Sequence, residues 1–364
     1  MVRTYGDVFS EVLSRVGDIK LDIWCSKCDM VDEEGIFRLL HYQPVTEARY
    51  RTPLLIVYAF INRPYVMDLQ PEVSVVRRYM EAGFDVYMID WGYPTTADQF
   101  LNLDDYAEYI DRSARYICKA TGVPKLNLHG YCLGGTLSAC YTAVHPERVR
   151  NLIVQTTPID FHTNNMVARW AQELDADKIV EAYHSAPGPF LNIGFLLVDP
   201  VNLIIGKYAG FLDMIESKHG MANFLSMDKW VFDSPAVPGA AYRQYIKEWY
   251  HDNSIMKGQF RIMGETVKLE NISVPLLVLA AKFDHIVPPD SQKAILALAA
   301  SRDKDCFEMA KGHVGITTSR ESHREYWPRV VKWIEERSED ASEARSEARP
   351  TVRRTAVSGA RGKR

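Results

Sequence analysis

From Ile36 onward, short apolar runs alternate with longer stretches in which apolar residues return every three or four positions. Ile36 to Tyr42, Pro53 to Phe60, Phe84 to Ile89, Lys125 to Leu128, Leu152 to Val154, Val274 to Ala281 and Cys306 to Met309 read as strands. The run Leu54-Leu55-Ile56-Val57-Tyr58-Ala59-Phe60 is apolar throughout, as expected of a strand covered on both faces. Between these lie helical patterns at Val73 to Ala82, Leu103 to Ala120, Leu137 to Val144, Asp290 to Ala300 and Glu325 to Glu336. The second places Tyr106, Ile110, Ile117 and Cys118 on one face, which makes Cys118 a core residue. The alternation predicts an α/β protein with a mainly parallel, doubly wound sheet and helices on both faces.

Three stretches depart from it. Residues 1–35 carry Val8, Val12, Val16, Ile19 and Leu21 at helical spacing and are expected to form an N-terminal amphipathic segment lying on the body. Residues 160–270 are aromatic-rich, mostly helical and broken by prolines, so they read as a cap inserted between two strands of a core made of 36–159 and 271–337. Residues 338–364 turn to Ser, Ala, Glu and Arg and are expected to be a disordered tail.

Composition narrows the class. With 364 residues, 47% hydrophobic and 25% charged, the chain is an ordinary globular protein. A net charge of −4 gives no nucleic-acid signature, and the six scattered cysteines do not form a disulfide framework. The longest apolar run, Pro189 to Ile205, is interrupted by Asn192, Asp199-Pro200 and Asn202, so it is no membrane span. It reads as buried surface or as a face for an apolar ligand. With no basic region followed by an apolar one at its N-terminus, the chain is expected to be cytoplasmic. Cys25 and Cys28 form a C-x-x-C with no second pair nearby, and no metal is expected there.

The chemistry centres on Gly130-Tyr131-Cys132-Leu133-Gly134. A strand before it and a helix after it require a tight turn, and glycines two residues to either side let Cys132 stand exposed on that turn. The first turn of the helix offers N–H groups, that of Leu133 first, to an oxyanion, and the turn after the strand ending near Phe60 and Ile61 would supply the second. Asp284 follows the apolar run Leu276 to Ala281, and His313 sits between glycines after Cys306 to Met309. The order Cys132, Asp284, His313, each just past a strand, matches the α/β-hydrolase pattern of nucleophile, acid and base. His313 would take the thiol proton while Asp284 fixes its tautomer. Asp160 is the reserve acid, His285 reads as a loop residue, and His129 reads as a packed residue at a strand end. A thiol attacking a thioester keeps the acyl group activated, which suits transfer to a hydroxyl.

The elbow together with Asp90-Trp91-Gly92-Tyr93-Pro94, Asn62-Arg63-Pro64-Tyr65, Phe283-Asp284-His285-Ile286-Val287-Pro288 and Gly312-His313-Val314-Gly315 resembles the catalytic subunit of the polyhydroxyalkanoate synthases, over about residues 36 to 336. The short N-terminal segment resembles the two-subunit types, class III first. The resemblance implies (R)-3-hydroxyacyl-CoA as substrate, polyester as product and coenzyme A released, with no further cofactor. It implies that Cys132 carries the growing chain, that His313 activates the thiol and that Asp284 assists the incoming hydroxyl. It also implies a homodimer, a second non-catalytic subunit and work at the surface of a polyester granule. The competing reading is a cysteine-dependent hydrolase of the same fold, of the dienelactone-hydrolase or thioesterase kind.

Overall fold

A computed structural model describes residues 24–198 and 218–341. The expected helix at Val8 to Leu21, and the part of the apolar run beyond Val198, lie outside them.

The strands β1 (Cys28–Glu34), β2 (Phe37–Tyr42), β3 (Leu54–Val57), β4 (Val86–Asp90), β5 (Leu126–Tyr131), β6 (Val149–Gln155), β7 (Leu276–Ala281) and β8 (Lys304–Met309) form one eight-stranded sheet. Their spatial order is β1-β2-β4-β3-β5-β6-β7-β8. From β4 to β8 all pairs are parallel, while β2 runs antiparallel to β1 and β4. Every residue of β3, β5 and β7 is buried; β3 and β7 are apolar throughout, as expected of strands covered on both faces, while β5 also buries Asn127 and His129 with hydrogen-bond partners. The covering helices are α1 (Val75–Ala82), α2 (Leu103–Thr121), α3 (Leu133–Val144), α9 (Pro289–Leu298) and α12 (Trp327–Glu335); the short α10 (Gly315–Thr318) and α11 (Arg320–Glu325) follow β8. Cys118 is only partly buried, packed against the core rather than inside it.

Two expected boundaries shift. Residues 28–34, assigned to the N-terminal amphipathic segment, form strand β1, joined to β2 through Gly35 at φ 55°. An edge strand shows water one face and an unpaired rim, so Asp29, Asp32, Glu33 and Glu34 are compatible with it and hide it from an apolar pattern. At the other end, residues 338–341 are tied to the body: Glu339 N–H donates to Thr52 Oγ1 (3.1 Å), Ala341 N–H donates to the Arg49 carbonyl (2.8 Å) and Asp340 bridges Tyr50. The remainder of the expected tail, 342–364, lies outside the described residues.

Between β6 and β7 the chain forms α4 (Met166–Glu173), α5 (Ala176–Tyr183), α6 (Gly188–Val198), α7 (Lys218–Phe232) and α8 (Gly239–Gln244). A π-helical turn, Tyr245–His251, continues α8, and the hairpin strands Arg261–Ile262 and Glu265–Thr266 follow. This insertion grips the loops after β3 and β4. Asp233 accepts hydrogen bonds from Tyr65 Oη (2.8 Å) and Tyr93 Oη (2.7 Å), and Trp230 Nε1–H donates to the Arg63 carbonyl (2.8 Å). Arg63, 5% exposed, joins the two loops by donating to Asp90 and to the Gly92 carbonyl. The Asn-Arg-Pro-Tyr and Asp-Trp-Gly-Tyr-Pro segments of the sequence are thus the two halves of one clasp. On α6, Phe190, Ile193 and Leu197 remain exposed, so the described part of the apolar run is only partly buried.

The sheet changes direction of winding at β3: the chain passes from β3 outward to β4, then returns to β5 on the other side. Crevices at the C-terminal ends of strands flanking such a switch point are where doubly wound sheets bind ligands. Here the two ends carry Phe60 and Cys132.

Close packing at the turn after β5 is testable. A Cβ at Gly134 would fall onto the carbonyl groups of Val57, the last residue of β3, and Tyr58 just after it. Gly134→Ala therefore overpacks a rigid contact at a cost of about 1–3 kcal/mol, lowering the Tm by several degrees in circular dichroism. Gly194→Ala on α6, where a Cβ meets nothing within 4 Å, should instead leave the Tm unlowered or raise it slightly, since alanine favours a helix interior over glycine. Equal Tm values for Gly134→Ala and the parent chain would contradict the packing.

Candidate active site

Cys132 joins β5 to α3 with φ 53° and ψ −128°, a backbone region that residues with a side chain rarely occupy. It is held there from three directions. Its N–H donates to the Gln155 carbonyl at the end of β6 (2.9 Å), and its own carbonyl accepts N–H groups from Gly135 (2.8 Å) and Thr136 (3.1 Å). Glycine at 130 matters because a Cβ there would press on Gly135 and Ser138 in the facing turn of α3. The Cys132 side chain is 6% exposed, at the floor of the crevice. Leu133 opens α3, so its N–H has no acceptor within the helix. The amides of Phe60 and Ile61 likewise have no acceptor among the described residues. Phe60 is buried and Ile61 half-buried in the loop after β3.

His313 and Asp284 come from the loops after β8 and β7. His313 Nδ1 lies 2.7 Å from Asp284 Oδ2, and the carboxylate is wholly shielded from solvent. Asp284 Oδ1 accepts the N–H groups of Ile286 and Val287, both at 2.9 Å, and Oδ2 also accepts from Gln292 Nε2 (3.1 Å). These three donors compensate the burial of the charge and leave the His313 N–H as the fourth. Tyr131, beside Cys132, sets its ring edge-on to the imidazole at 5.7 Å and donates its hydroxyl to the His313 carbonyl (2.9 Å). With Nδ1 engaged, Nε2 has no partner among the described residues and is free for another group.

The electrostatics couple the three residues. Burial depresses the pKa of His313, but the charge of the Asp284 carboxylate foremost, then the electrostatic influence of nearby Cys132 and Tyr131 and the hydrogen bond to Asp284, outweigh it and hold the group well above its ordinary value. Around Cys132 stand phenols that burial keeps neutral: Tyr58 from the loop after β3, and Tyr245 and Tyr250 from the π-helical turn of the insertion. Cys132 therefore lies in an aromatic, weakly polar space bounded by the insertion.

The other sequence candidates fall elsewhere. Asp160, the reserve acid, accepts hydrogen bonds from Asn253 Nδ2 and His162 N–H, both at 2.9 Å, which anchors the insertion. His285 is an exposed loop residue, and His129 is fully buried between Tyr79 and Gln155, as expected of it. The Cys25 thiol donates to buried Asp68 (2.9 Å), and burial together with the charge of Asp68 pushes its pKa up to about 12, which leaves it a poor metal ligand. Among the described residues, no group of three His, Cys, Asp or Glu side chains is placed to hold a metal. Gln292 and Gln155 were not legible as site residues. Neither belongs to a recognisable spacing or motif in its element.

A strained residue on a strand-to-helix turn at the switch point, with an acid past the end of β7 and a histidine past the end of β8, defines an α/β-hydrolase-type site, and the α/β hydrolase fold family profile matches residues 52–314. In keeping with that, a soluble variant of the monoglyceride lipase of Saccharomyces cerevisiae superposes with a TM-score of 0.56 at 14% identity, covering 88% of this chain and 98% of that one. A finer match follows from sequence. The profile of the poly-beta-hydroxybutyrate polymerase N-terminus matches residues 15–80, so the family likeness begins well before residue 36. Proteins named poly(3-hydroxyalkanoate) polymerase subunit PhaC align at 43% identity in Allochromatium vinosum, covering 78% of this chain and 81% of that protein, and at 39% in Thiocystis violacea, covering 87% and 90%. The relative of the same name in Haloferax mediterranei is 40% identical over 85% of this chain, which spans 64% of that protein's length. The chain belongs to the poly(3-hydroxyalkanoate) polymerase family.

The charge coupling has a sign that can be measured. A pKa raised in the folded state stabilises the fold fully below the unfolded histidine value of about 6.5 and is lost as pH rises through the raised value. Asp284→Asn removes the largest upward influence on His313. It is expected to move the His313 ring-proton titration, followed by NMR, down by roughly 1–3 pH units, and to lower the Tm more at pH 6 than at pH 10. An unmoved titration would show that Asp284 does not set the charge of His313.

Proposed function

We propose that this chain polymerises (R)-3-hydroxyacyl-CoA, 3-hydroxybutyryl-CoA foremost, into polyester through a thioester on Cys132. The observation that carries the reading is the His313–Asp284 pair, coupled by charge to a cysteine held in a strained elbow.

In this mechanism His313 Nε2 takes the Cys132 proton as the sulfur attacks the thioester carbonyl. The N–H groups of Leu133 and of Phe60 or Ile61 receive the negative oxygen that develops. The carbon–sulfur bond to coenzyme A breaks, the imidazolium returns its proton to the departing thiolate, and the acyl group remains on Cys132. The hydroxyl of another 3-hydroxyacyl unit then attacks this thioester, again giving its proton to His313, and an ester forms as the Cys132 sulfur leaves. Asp284 acts through His313, because its oxygens are already engaged by Ile286, Val287, Gln292 and the imidazole. No cofactor takes part beyond the coenzyme A carried in on the substrate.

Transfer rather than hydrolysis requires that water be kept from the acyl-cysteine. Residues 160–270 serve as the cap for this purpose. The reading is supported by the clasp of Tyr65 and Tyr93 on Asp233 and by the phenols of Tyr245 and Tyr250 facing Cys132. We further assign to the chain a homodimeric state, a second non-catalytic subunit, and a cytoplasmic place at the polyester surface. Exposed Trp170, Phe190, Ile193 and Leu197 on the cap supply apolar area for such contacts.

The test follows released coenzyme A thiol from (R)-3-hydroxybutyryl-CoA while sizing the acyl product. Thiol release with high-mass polyester is expected, and Cys132→Ala should abolish both. Release of free hydroxybutyrate alone, with the second subunit present, would establish the hydrolase reading instead.

A further inference from the structure

Behind the site runs a buried polar chain that the mechanism does not use. Tyr79 Oη on α1 lies 3.2 Å from His129 Nδ1, and His129 Nε2 lies 3.1 Å from Gln155 Oε1 at the end of β6. Gln155 Nε2 donates to Thr317 Oγ1 (2.8 Å) in α10 (Gly315–Thr318), the short helix that follows His313. Tyr131, beside Cys132, donates its own hydroxyl to the His313 carbonyl (2.9 Å), four residues before Thr317. From the far side, His323 Nε2 of α11 (Arg320–Glu325) lies 2.6 Å from the Thr317 carbonyl, and Arg78 Nε–H donates to His323 Nδ1 (3.3 Å). Tyr79, His129, Gln155 and Thr317 are all wholly buried.

Gln155 occupies a particular place in this chain because its main chain and its side chain bond in two directions. Its main-chain carbonyl receives the N–H of Cys132, and its side chain holds Thr317, four residues past His313. One residue thus spans the nucleophile's elbow and the base's loop. No other hydrogen bond between the described residues of β6 and the His313 loop does so. The Tyr131 hydroxyl already ties the elbow to the His313 carbonyl, and the Gln155 amide adds a second, fully buried tie from β6, which tolerates little departure from its hydrogen-bond length.

We infer that Gln155 is a positioning residue that sets the distance and angle between Cys132 and His313, with His129 and Thr317 as its fixed supports. The inference rests on His313 acting as the base for Cys132. His129 suits the supporting role because burial depresses its pKa to about 3, so it stays neutral and keeps one ring nitrogen as donor and the other as acceptor. The neighbouring His323 is held neutral in the same way, at about 4. A charge switching on at either place would break the chain.

Two substitutions test this, read in two ways. Gln155→Leu keeps the main-chain carbonyl and removes the side-chain bridge; Thr317→Val removes the hydroxyl at nearly constant volume, and Thr317→Ser restores it. In coenzyme A release, Gln155→Leu and Thr317→Val should each lower kcat about 10- to 100-fold with KM within threefold, while Thr317→Ser regains most of the rate. The second readout needs no substrate turnover: the rate at which iodoacetamide alkylates Cys132, measured by mass spectrometry of its peptide. It should fall in parallel in the first two variants and recover in Thr317→Ser. Variants that lose Tm yet alkylate and turn over at parent rates would overturn the inference, as would Thr317→Ser behaving like Thr317→Val. Absence of any Cys132-dependent thiol release in the parent chain would instead count against the proposed function, and the alkylation comparison would still decide the role of Gln155.

Discussion

A cysteine at φ 53° depends on everything around it. Holding a residue with a side chain in that region costs of order 1–3 kcal/mol, and the conformation persists only because its neighbours leave no alternative. Gly130 and Gly134 give up their side chains so that α3 can press against β5 and β3. The Gln155 carbonyl and the first amides of α3 then close the turn from both sides. The parallel sheet supplies the rest, since β3, β5, β6, β7 and β8 all point their C-terminal ends at the same crevice. What is gained is a sulfur placed at the end of a rigid strand, beside amides without partners.

The remaining site is an exercise in burying charge without stranding it. Asp284 is fully shielded, yet two backbone amides, an amide side chain and an imidazole meet its oxygens. That carboxylate outweighs the desolvation of His313 and keeps the ring available as a proton carrier. The space in front of it is aromatic rather than ionic, because Tyr58, Tyr245 and Tyr250 are held neutral. Such surroundings favour an acyl chain over water and link the chemistry of Cys132 to the cap that provides two of the three rings.

The central strands and the places of Cys132, Asp284 and His313 were legible in the sequence for the same reason. Strands β3 and β7 are buried on both faces and apolar along their whole length, and glycines flank the turn after β5, so these ends announce themselves and chemistry just past an end is easily found. Strand β1 was hidden because it lies at the rim, where Asp29, Asp32 and Glu33 meet water and nothing in the pattern distinguishes it from a loop. Gln155, Gln292 and Thr317 were hidden for the opposite reason. A buried polar residue acquires meaning only from its partner in the fold, and the partners lie 162 and 8 residues away in the chain. Asp233 is a similar case: its two tyrosines belong to segments visible in the sequence, but their shared acceptor is 168 and 140 residues downstream.

The central claim is that Cys132 carries the acyl group. It is tested most directly by offering the chain an acyl-CoA that lacks the 3-hydroxyl, which can be loaded but not extended, and by mapping the adduct by mass spectrometry. One acyl group on the peptide containing Cys132, released by hydroxylamine and missing from His313→Ala, is the predicted result. An adduct on any other residue, or rapid thiol release with no adduct on Cys132 even in a rapid quench, would contradict the account.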